Sequence, residues 1–379
     1  MNHEFWVSVW AKRRYEEVIQ IPTEYEIHND FIKNMDLSEV QSAFLQIRGI
    51  FRDVYNDIAL YPEEFGMPLN SVEQHRVYSQ EWRDSGQAPY RPFILLYNLF
   101  ACSELSDNGL IVSIEKYKAY KPPPKHLSGI EQKVKYPNFL FNKLVDYGFV
   151  FEGLKNNKPS NNDIIISYPD NPNLLYLFKQ LADKARNVNR IENFLCCHFR
   201  LLQDNMETAD YGYGADNMAD RVLTDTEKEI VYALDNALTE KGFIPKLYGD
   251  IECHGVAYYH SEKDIAAKRP YTYRITTKSM DFENDEKETE KMRLQLRIRK
   301  VEKCLPFIET CSDSIKHIFT DHSDEGCSRR LDQTCKHGIT YEIEGKNYWR
   351  CACCHAPFSI KPKLADIPAY IELINLGER

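Results

Sequence analysis

PNFLFNKLVDYGFVFEGLKNNKPSNNDIIISY, residues Pro137–Tyr168, is the stretch whose reading decides the first half of the chain. Proline suits the first turn of a helix, so the helix starts at Pro137, ends near Gly148 and sets Phe141, Leu144 and Val145 on one side. Two β-prone runs follow, Phe149–Leu154 and Ile164–Tyr168, separated by the polar loop Lys155–Asp163. Upstream, Pro92–Leu105 is apolar nearly all round and reads as a buried helix. Leu110–Ile114 reads as a short strand after Asn108-Gly109, and Leu127–Val134 as a short helix after the break Lys121-Pro-Pro-Pro124. Helix, strand, helix, helix and a two-stranded wing is the order of a winged-helix domain, a variant of helix-turn-helix. Behind the wing, Asn171 as N-cap and Pro172 as first residue open another helix, with Leu174, Leu177, Phe178, Leu181 and Ala182 at helical spacing.

Outward from this core, Val40, Phe44, Ile47, Phe51, Val54 and Ile58 form an apolar stripe that predicts a helix from Leu37 to Ile58, with Ser38 and Gln41 as its capping box. Tyr61–Arg91, broken by Pro and Gly, reads as a long and mostly irregular connection. Ile191–Leu202 continues as helix, and the Gly/Asp/Asn-rich Asp204–Asp220 marks a domain boundary. A helix from Thr224, with Glu227 completing a capping box, stops at Gly242. Then come β-prone runs at Gly255–Tyr259, Tyr271–Thr276 and around Leu294, Leu296 and Ile298, a helix over Pro306–Phe319, and the charge-dense run Asp281–Lys291. The expected class is α+β. An N-terminal helical region (1–84) precedes a winged-helix-like domain (85–203), a linker (204–223) and an α+β domain (224–379) that ends in a metal-binding hairpin.

The chain has 379 residues, 43% hydrophobic and 28% charged, with a net charge of −9, which excludes a disordered or fibrous protein. Its longest apolar run, Phe93–Cys102, is about half of what a membrane-spanning helix needs, so no membrane association is expected. An acidic total argues against a protein that coats nucleic acid with its whole surface. No secretory signal is evident, and an odd eleven cysteines speak for a reducing cytoplasm.

Five of those cysteines fall within 28 residues. Cys327, Cys335, Cys351 and Cys354 are the expected ligands of a structural zinc ion, with Cys353, His337 and His355 as substitutes. Strands Ile339–Ile343 and Asn347–Cys351, joined by a turn at Gly345-Lys346, would pair residues whose numbers total 691. His337 then lies opposite Cys354, and Cys335 opposite Ala356. The rival readings are a redox site at Trp349-Arg-Cys-Ala-Cys-Cys354, for which no helix is expected to follow, and thiols without metal. Cys102, Cys196, Cys197, Cys253, Cys304 and Cys311 read as buried core thiols.

Nine lysines against three acids between Lys116 and Lys158 give a local +6 in an acidic chain. Such a patch fits a DNA- or RNA-binding module inside a larger regulator. Lys116, Lys118, Lys121, Lys125, Lys133, Lys135, Lys143, Lys155 and Lys158 are the candidate contacts, and Asn138 and Asn142 on the recognition helix are candidate readers of adenine edges. The patch has no arginine, and three aromatics crowd the helix, so a protein partner is the alternative occupant. The strand Arg293–Arg299 is a second basic candidate, or one exposed face of a sheet. No P-loop, dinucleotide, nucleophile-elbow or zinc-protease motif is present, and Tyr211-Gly-Tyr-Gly214 lacks a third glycine. An enzymatic reading would need polar groups to converge on Cys253, His254 and His260. A ligand-binding reading needs a pocket lined by Tyr258, Tyr259, Tyr271 and Tyr273.

Phe65-Gly-Met-Pro-Leu69, Arg91-Pro-Phe93, Ser167-Tyr-Pro-Asp-Asn-Pro172 and Tyr348-Trp-Arg-Cys-Ala-Cys-Cys-His-Ala-Pro-Phe358 resemble a family of uncharacterised proteins from clostridia and related bacteria. The likeness covers most of the chain and implies a bacterial origin and this domain order, with no activity. The C-terminal half is similar to small α+β bacterial domains that end in comparable Cys-rich hairpins. The expected function is nucleic-acid binding or transcriptional regulation with a structural zinc. A ligand- or protein-binding module is the alternative.

Overall fold

The computed structural model describes residues 5–19, 25–32, 35–72, 80–107, 109–122, 130–207, 224–248, 255–267, 272–277, 292–298, 300–320, 338–351 and 358–378. The fold is α+β, and the chain divides into two units, 1–211 and 212–379. Among the described residues no helix is long and apolar enough to cross a membrane.

In the first unit, α1 (Trp6–Ile19) packs on α2 (Leu37–Leu60), whose predicted stripe Val40, Phe44, Ile47, Phe51, Val54 and Ile58 is buried throughout. The capping box of α2 is formed by Asp36 and Glu39, not Ser38 and Gln41. Asp36 accepts the Glu39 N–H at 2.8 Å, and the Glu39 carboxylate accepts the Asp36 N–H at 2.9 Å. Two carboxylates at the positive end of the helix dipole outcompete a hydroxyl, and Ser38 donates its hydroxyl to Asp36 instead.

Tyr61–Arg91 is less irregular than expected. It holds a 3-10 turn at Pro62–Phe65, α3 (Gln80–Gln87) and a second 3-10 turn at Ala88–Tyr90. Trp82 anchors α3 by packing edge-on against Trp10 of α1, with ring centroids 5.4 Å apart. Next, α4 (Arg91–Ala101) ends earlier than expected, because Ser103–Ser106 (β1) folds back in a hairpin on Gly109–Val112 (β2). The order continues with α5 (Ile114–Ala119), α6 (Pro137–Asp146), β3 (Val150–Glu152), a small hairpin of β4 (Leu154–Lys155) and β5 (Lys158–Pro159), β6 (Ile164–Ser167), α7 (Pro172–Asn187) and α8 (Ile191–Leu195). The short helix expected at Leu127–Val134 is absent over residues 130–134; its first residues lie outside the described ones. Val145 departs from Phe141 and Leu144, which are buried, and is exposed.

The four strands β1-β2-β6-β3 make an antiparallel sheet in that spatial order. The core beside it draws on residues from both sides of position 84. Phe51 of α2 stacks on Phe93 of α4 at 3.6 Å and meets Phe178 of α7 at 5.7 Å. The helix expected over Ile191–Leu202 breaks after α8 into a 3-10 turn at Phe199–Leu202, with Cys197 at φ 46° between them. Side chains of α2 take up the carbonyls released there: Tyr55 donates to the Leu195 oxygen and Arg48 to that of Cys197, each at 2.6 Å.

The second unit opens with α9 (Asp225–Glu240), capped by Thr224 and Glu227 as the sequence predicts. Its sheet has the spatial order β13-β10-β9-β8-β7, all antiparallel, from β7 (Ile244–Tyr248), β8 (Gly255–Tyr259), β9 (Tyr273–Thr277), β10 (Met292–Leu296) and β13 (Phe358–Ile360). Between β8 and β9 lies α10 (Glu262–Ala266). The helix expected over Pro306–Phe319 is two, α11 (Val301–Ile308) and α12 (Asp313–Thr320), and α13 (Ile367–Glu378) ends the chain. Asp281–Lys291 lies outside the described residues.

The remaining hairpin, β11 (Gly338–Ile343) with β12 (Lys346–Cys351), corrects the expected register. Ile343 pairs with Lys346 and Gly338 with Cys351, so paired numbers total 689 rather than 691. Glu344 and Gly345 form the turn with φ of 50° and 75°. A two-residue type I′ turn needs positive φ at both central positions, and glycine at the second of them fits it better than lysine.

Candidate nucleic-acid interface

The sheet positions α6 and the β4–β5 hairpin. β6 pairs with β2 on one side and with β3 on the other, so the segment between β3 and β6 must leave the sheet as a protruding loop. Asn156 and Asn157 turn that loop with φ of 51° and 57°, and set Lys155 opposite Lys158. Asparagine tolerates this conformation better than most residues. The loop is tied at its base. Ser160 donates to the Gly153 carbonyl at 2.8 Å, the Asp163 carboxylate accepts the Ile114 N–H at 2.9 Å, and Lys118 of α5 donates to the Asn161 side chain at 2.9 Å. The hairpin and α5 are thereby brought together, and with them Lys118, Lys121, Lys155 and Lys158, all exposed.

α6 buries Leu140, Phe141 and Leu144, with Phe141 edge-on to Phe151 of β3 at 5.1 Å. Asn138, half-buried, shares the opposite face with Asn142 and Val145, both exposed, following the i, i+4, i+7 spacing. Next to that face, Tyr136 is 60% and Phe139 53% exposed. The flank of α6 toward α2 is acidic. Lys143 pairs with Glu64 at 2.5 Å and with Asp146 at 3.4 Å, and the Glu64 hydrogen bond holds its ammonium above the ordinary lysine value. Tyr147 donates to Asp57 at 2.6 Å, and burial, with Asp57, Asp146 and Asp53 behind it, pushes its phenol well up.

The other candidate lysines divide by partner. Lys116 pairs with Glu104 at 2.7 Å and Lys135 with Asp84 at 3.4 Å, whereas Lys133 is exposed and Lys125 lies outside the described residues. Sequence reasoning missed Glu64, Asp84, Glu104, Asp53 and Asp57, which come from outside the counted segment.

Of the metal candidates, Cys351 is the last residue of β12; Cys327, Cys335, His337, Cys353, Cys354 and His355, and the pairings expected of them, lie outside the described residues. Among the described residues no group of three or more His, Cys, Asp or Glu could hold a metal. Cys102, Cys196, Cys197 and Cys304 are buried thiols outside any disulfide, and Cys311 is half-buried. The expected tyrosine pocket is not assembled. Tyr258 and Tyr273 fill the core, with Tyr258 donating to Asp235 at 2.6 Å, and alternation along β8 sends Tyr259 to the opposite face. Tyr271, Cys253 and His254 lie outside the described residues, and His260 packs its ring beside Phe243 at 4.6 Å. No protein-family model matches the chain, and neither a curated protein nor a solved structure does.

Proposed function

We propose that residues 91–187 form a winged-helix module, in a nucleic-acid-binding regulatory protein of the bacterial cytoplasm. The observation that carries this reading is the strand order β2-β6-β3, with α5 and α6 before β3 and a basic hairpin between β3 and β6. In this reading Lys155 and Lys158 of the wing, with Lys118 and Lys121 beside it, take phosphates of a duplex, and Asn138 and Asn142 face base edges. Fluorescence anisotropy with a labelled duplex at 50 to 200 mM salt tests it. Neutralising both wing lysines (Lys155→Gln, Lys158→Gln) is expected to lower the salt slope by about 1.8, at roughly 0.9 per lost phosphate contact. Salt-insensitive affinity, or none at all, refutes it.

A second reading, a protein-binding module, is favoured by the exposed Tyr136, Phe139 and Val145 on α6 and by the acids along its flank, which repel phosphate. It predicts that Phe139→Ala leaves duplex affinity unchanged and abolishes capture of the partner.

We also propose structural zinc for the Cys-rich hairpin. Four of Cys327, Cys335, Cys351, Cys354 and the substitutes Cys353, His337 and His355 supply the thiolate and imidazole donors of a closed tetrahedron. Elemental analysis of protein purified without added metal is expected to give about one zinc per chain. A folded protein free of metal rules the site out.

A further inference from the structure

Where α6 lies against the turn Pro62–Phe65, the first unit has a surface that is apolar in its middle and acidic along its rim. The core takes Leu140, Phe141 and Leu144 from α6 and leaves the aromatics of its first turn outside. Tyr136 caps the helix, its carbonyl accepting the Phe139 N–H at 3.2 Å, and both side chains keep more than half of their surface open to solvent. Phe139 leans over Gly66: a Cβ on that glycine would stand 3.5 Å from its ring. Phe139, Lys143 and Asp146, at i, i+4 and i+7, share one side of the helix. On that side Lys143 reaches Glu64 of the turn, with its ammonium 5.5 Å from the centre of the Phe65 ring. The chain adds exposed Tyr61 just before the turn and Leu69 three residues beyond Gly66.

The rim is made by Glu63 and Glu64 on the turn, Asp146 on α6, and Asp57 on α2, which accepts the Tyr147 hydroxyl at 2.6 Å one helical turn from Asp53. Lys143 lies between Glu64 and Asp146 and offsets one of these charges, whereas Arg52 turns to Tyr15 of α1. At the other end Lys135 pairs with Asp84, and Lys133 is exposed. Such a rim repels the phosphates of a nucleic acid, and a two-fold pair of copies joined through this surface would set acid against acid. Cations of a partner are attracted to it, and side chains line it, which suits a helix read through residues at i, i+3 and i+4. Resting on the protein-binding reading of α6, we infer that this surface docks a basic amphipathic helix of a partner protein, whose apolar stripe covers Tyr136 and Phe139 and whose Lys or Arg side chains pair with Glu63, Glu64 and Asp146.

The test is selection of random phage-displayed peptides on the immobilised full chain, at about 16 residues each, long enough for four helical turns. Enriched sequences, labelled and measured by anisotropy, should carry net positive charge with apolar residues at helical spacing. Their affinity is expected to fall about tenfold or more for Phe139→Ala, an aromatic anchor, and severalfold for Glu63→Lys, with the second gap narrowing as salt rises. The wing variant Lys155→Gln, Lys158→Gln should bind them like wild type. Circular dichroism checks folding; if Phe139→Ala does not fold, Tyr136→Asn, an exposed change that suits the left-handed backbone there (φ 58°), must weaken the peptides instead. Peptides that need Phe139 and Tyr136 but are acidic or uncharged overturn this inference and leave the protein-binding reading standing. Peptides indifferent to both residues, or no enrichment, overturn both. A dimer in sedimentation equilibrium that Phe139→Ala dissociates overturns the inference in favour of a second copy of the chain.

Discussion

Replacing Gly153 by alanine probes how firmly the hairpin is held to the sheet. Gly153 sits between β3 and β4 at φ +84°, and a Cβ there would stand 2.1 Å from the Asp163 carbonyl oxygen, well inside the 3.0 Å below which such contacts essentially never occur. Asp163 must therefore retreat by about 1 Å, and it is tethered: its carboxylate accepts the Ile114 N–H, and the next residue, Ile164, pairs with Val112. The left-handed backbone alone costs alanine about 1–2 kcal/mol. Breaking one tether adds about 1–2 kcal/mol, for a total of roughly 3 kcal/mol. Gly66→Ala is the matched control, at φ +61° in the same unit but with Phe139 no nearer than 3.5 Å, so it carries only the backbone cost. For a unit of this size each kcal/mol lowers Tm by roughly 2–4 °C. Thermal denaturation followed by circular dichroism is expected to show a loss of about 10 °C for Gly153→Ala and about 4 °C for Gly66→Ala. Equal losses would mean that the hairpin yields freely at its base, and the reasoning from tethers fails.

Two further outcomes concern the second unit. Glu227 accepts the buried Met292 N–H and the Thr224 N–H, both at 2.9 Å, and so joins the start of α9 to β10; Glu227→Ala is expected to cost about 3 kcal/mol in urea denaturation, against a smaller loss for Glu227→Gln, which keeps an acceptor. Burial pushes the Cys304 thiol from 9.0 up to about 11. Because the folded value lies above the unfolded one, its stabilisation is complete below pH 9 and is lost as pH rises toward 11, by at most about 1.4 kcal/mol per pH unit. Cys304→Ala should flatten the fall measured between pH 9 and 10, and an unchanged slope refutes the assignment.

Where a structural signal is carried by neighbours along the chain, the sequence discloses it. The stripe of α2, Pro137 at the start of α6, and Asn171 capping α7 by accepting the Asn173 N–H are all of this kind. The errors come from distant partners. α3 is only eight residues long and is pinned by Trp82 against Trp10, seventy-two positions earlier. The break after α8 is stabilised by Tyr55 and Arg48, which local periodicity cannot register. The hairpin register turned on which residue of Glu344-Gly345-Lys346 takes the second positive φ, a difference of one position that shifts every pair.

Charge shows the same contrast in both directions. Counted along the chain, Lys116–Lys158 carries +6, but three acids from outside the segment, Glu64, Asp84 and Glu104, pair with Lys143, Lys135 and Lys116 and reduce it to +3. Among the described residues, what survives is concentrated on the β4–β5 hairpin and its base, in Lys118, Lys121, Lys155 and Lys158, rather than on α6. In the second unit the fold does the opposite. Lys246, Arg274, Arg293 and Arg297 are too far apart for any short window to register as basic, yet the registers of β7 to β10 gather them on one face. Alternation in β10 disclosed Arg293 and Arg297 as outward-facing, but only the pairing of Gln295 with Arg274 and of Ala257 with Lys246 shows that four strands share one polarity. A linear count therefore overstated the first surface and overlooked half of the second, because attraction between charges depends on distance in space, and the sheet register sets that distance.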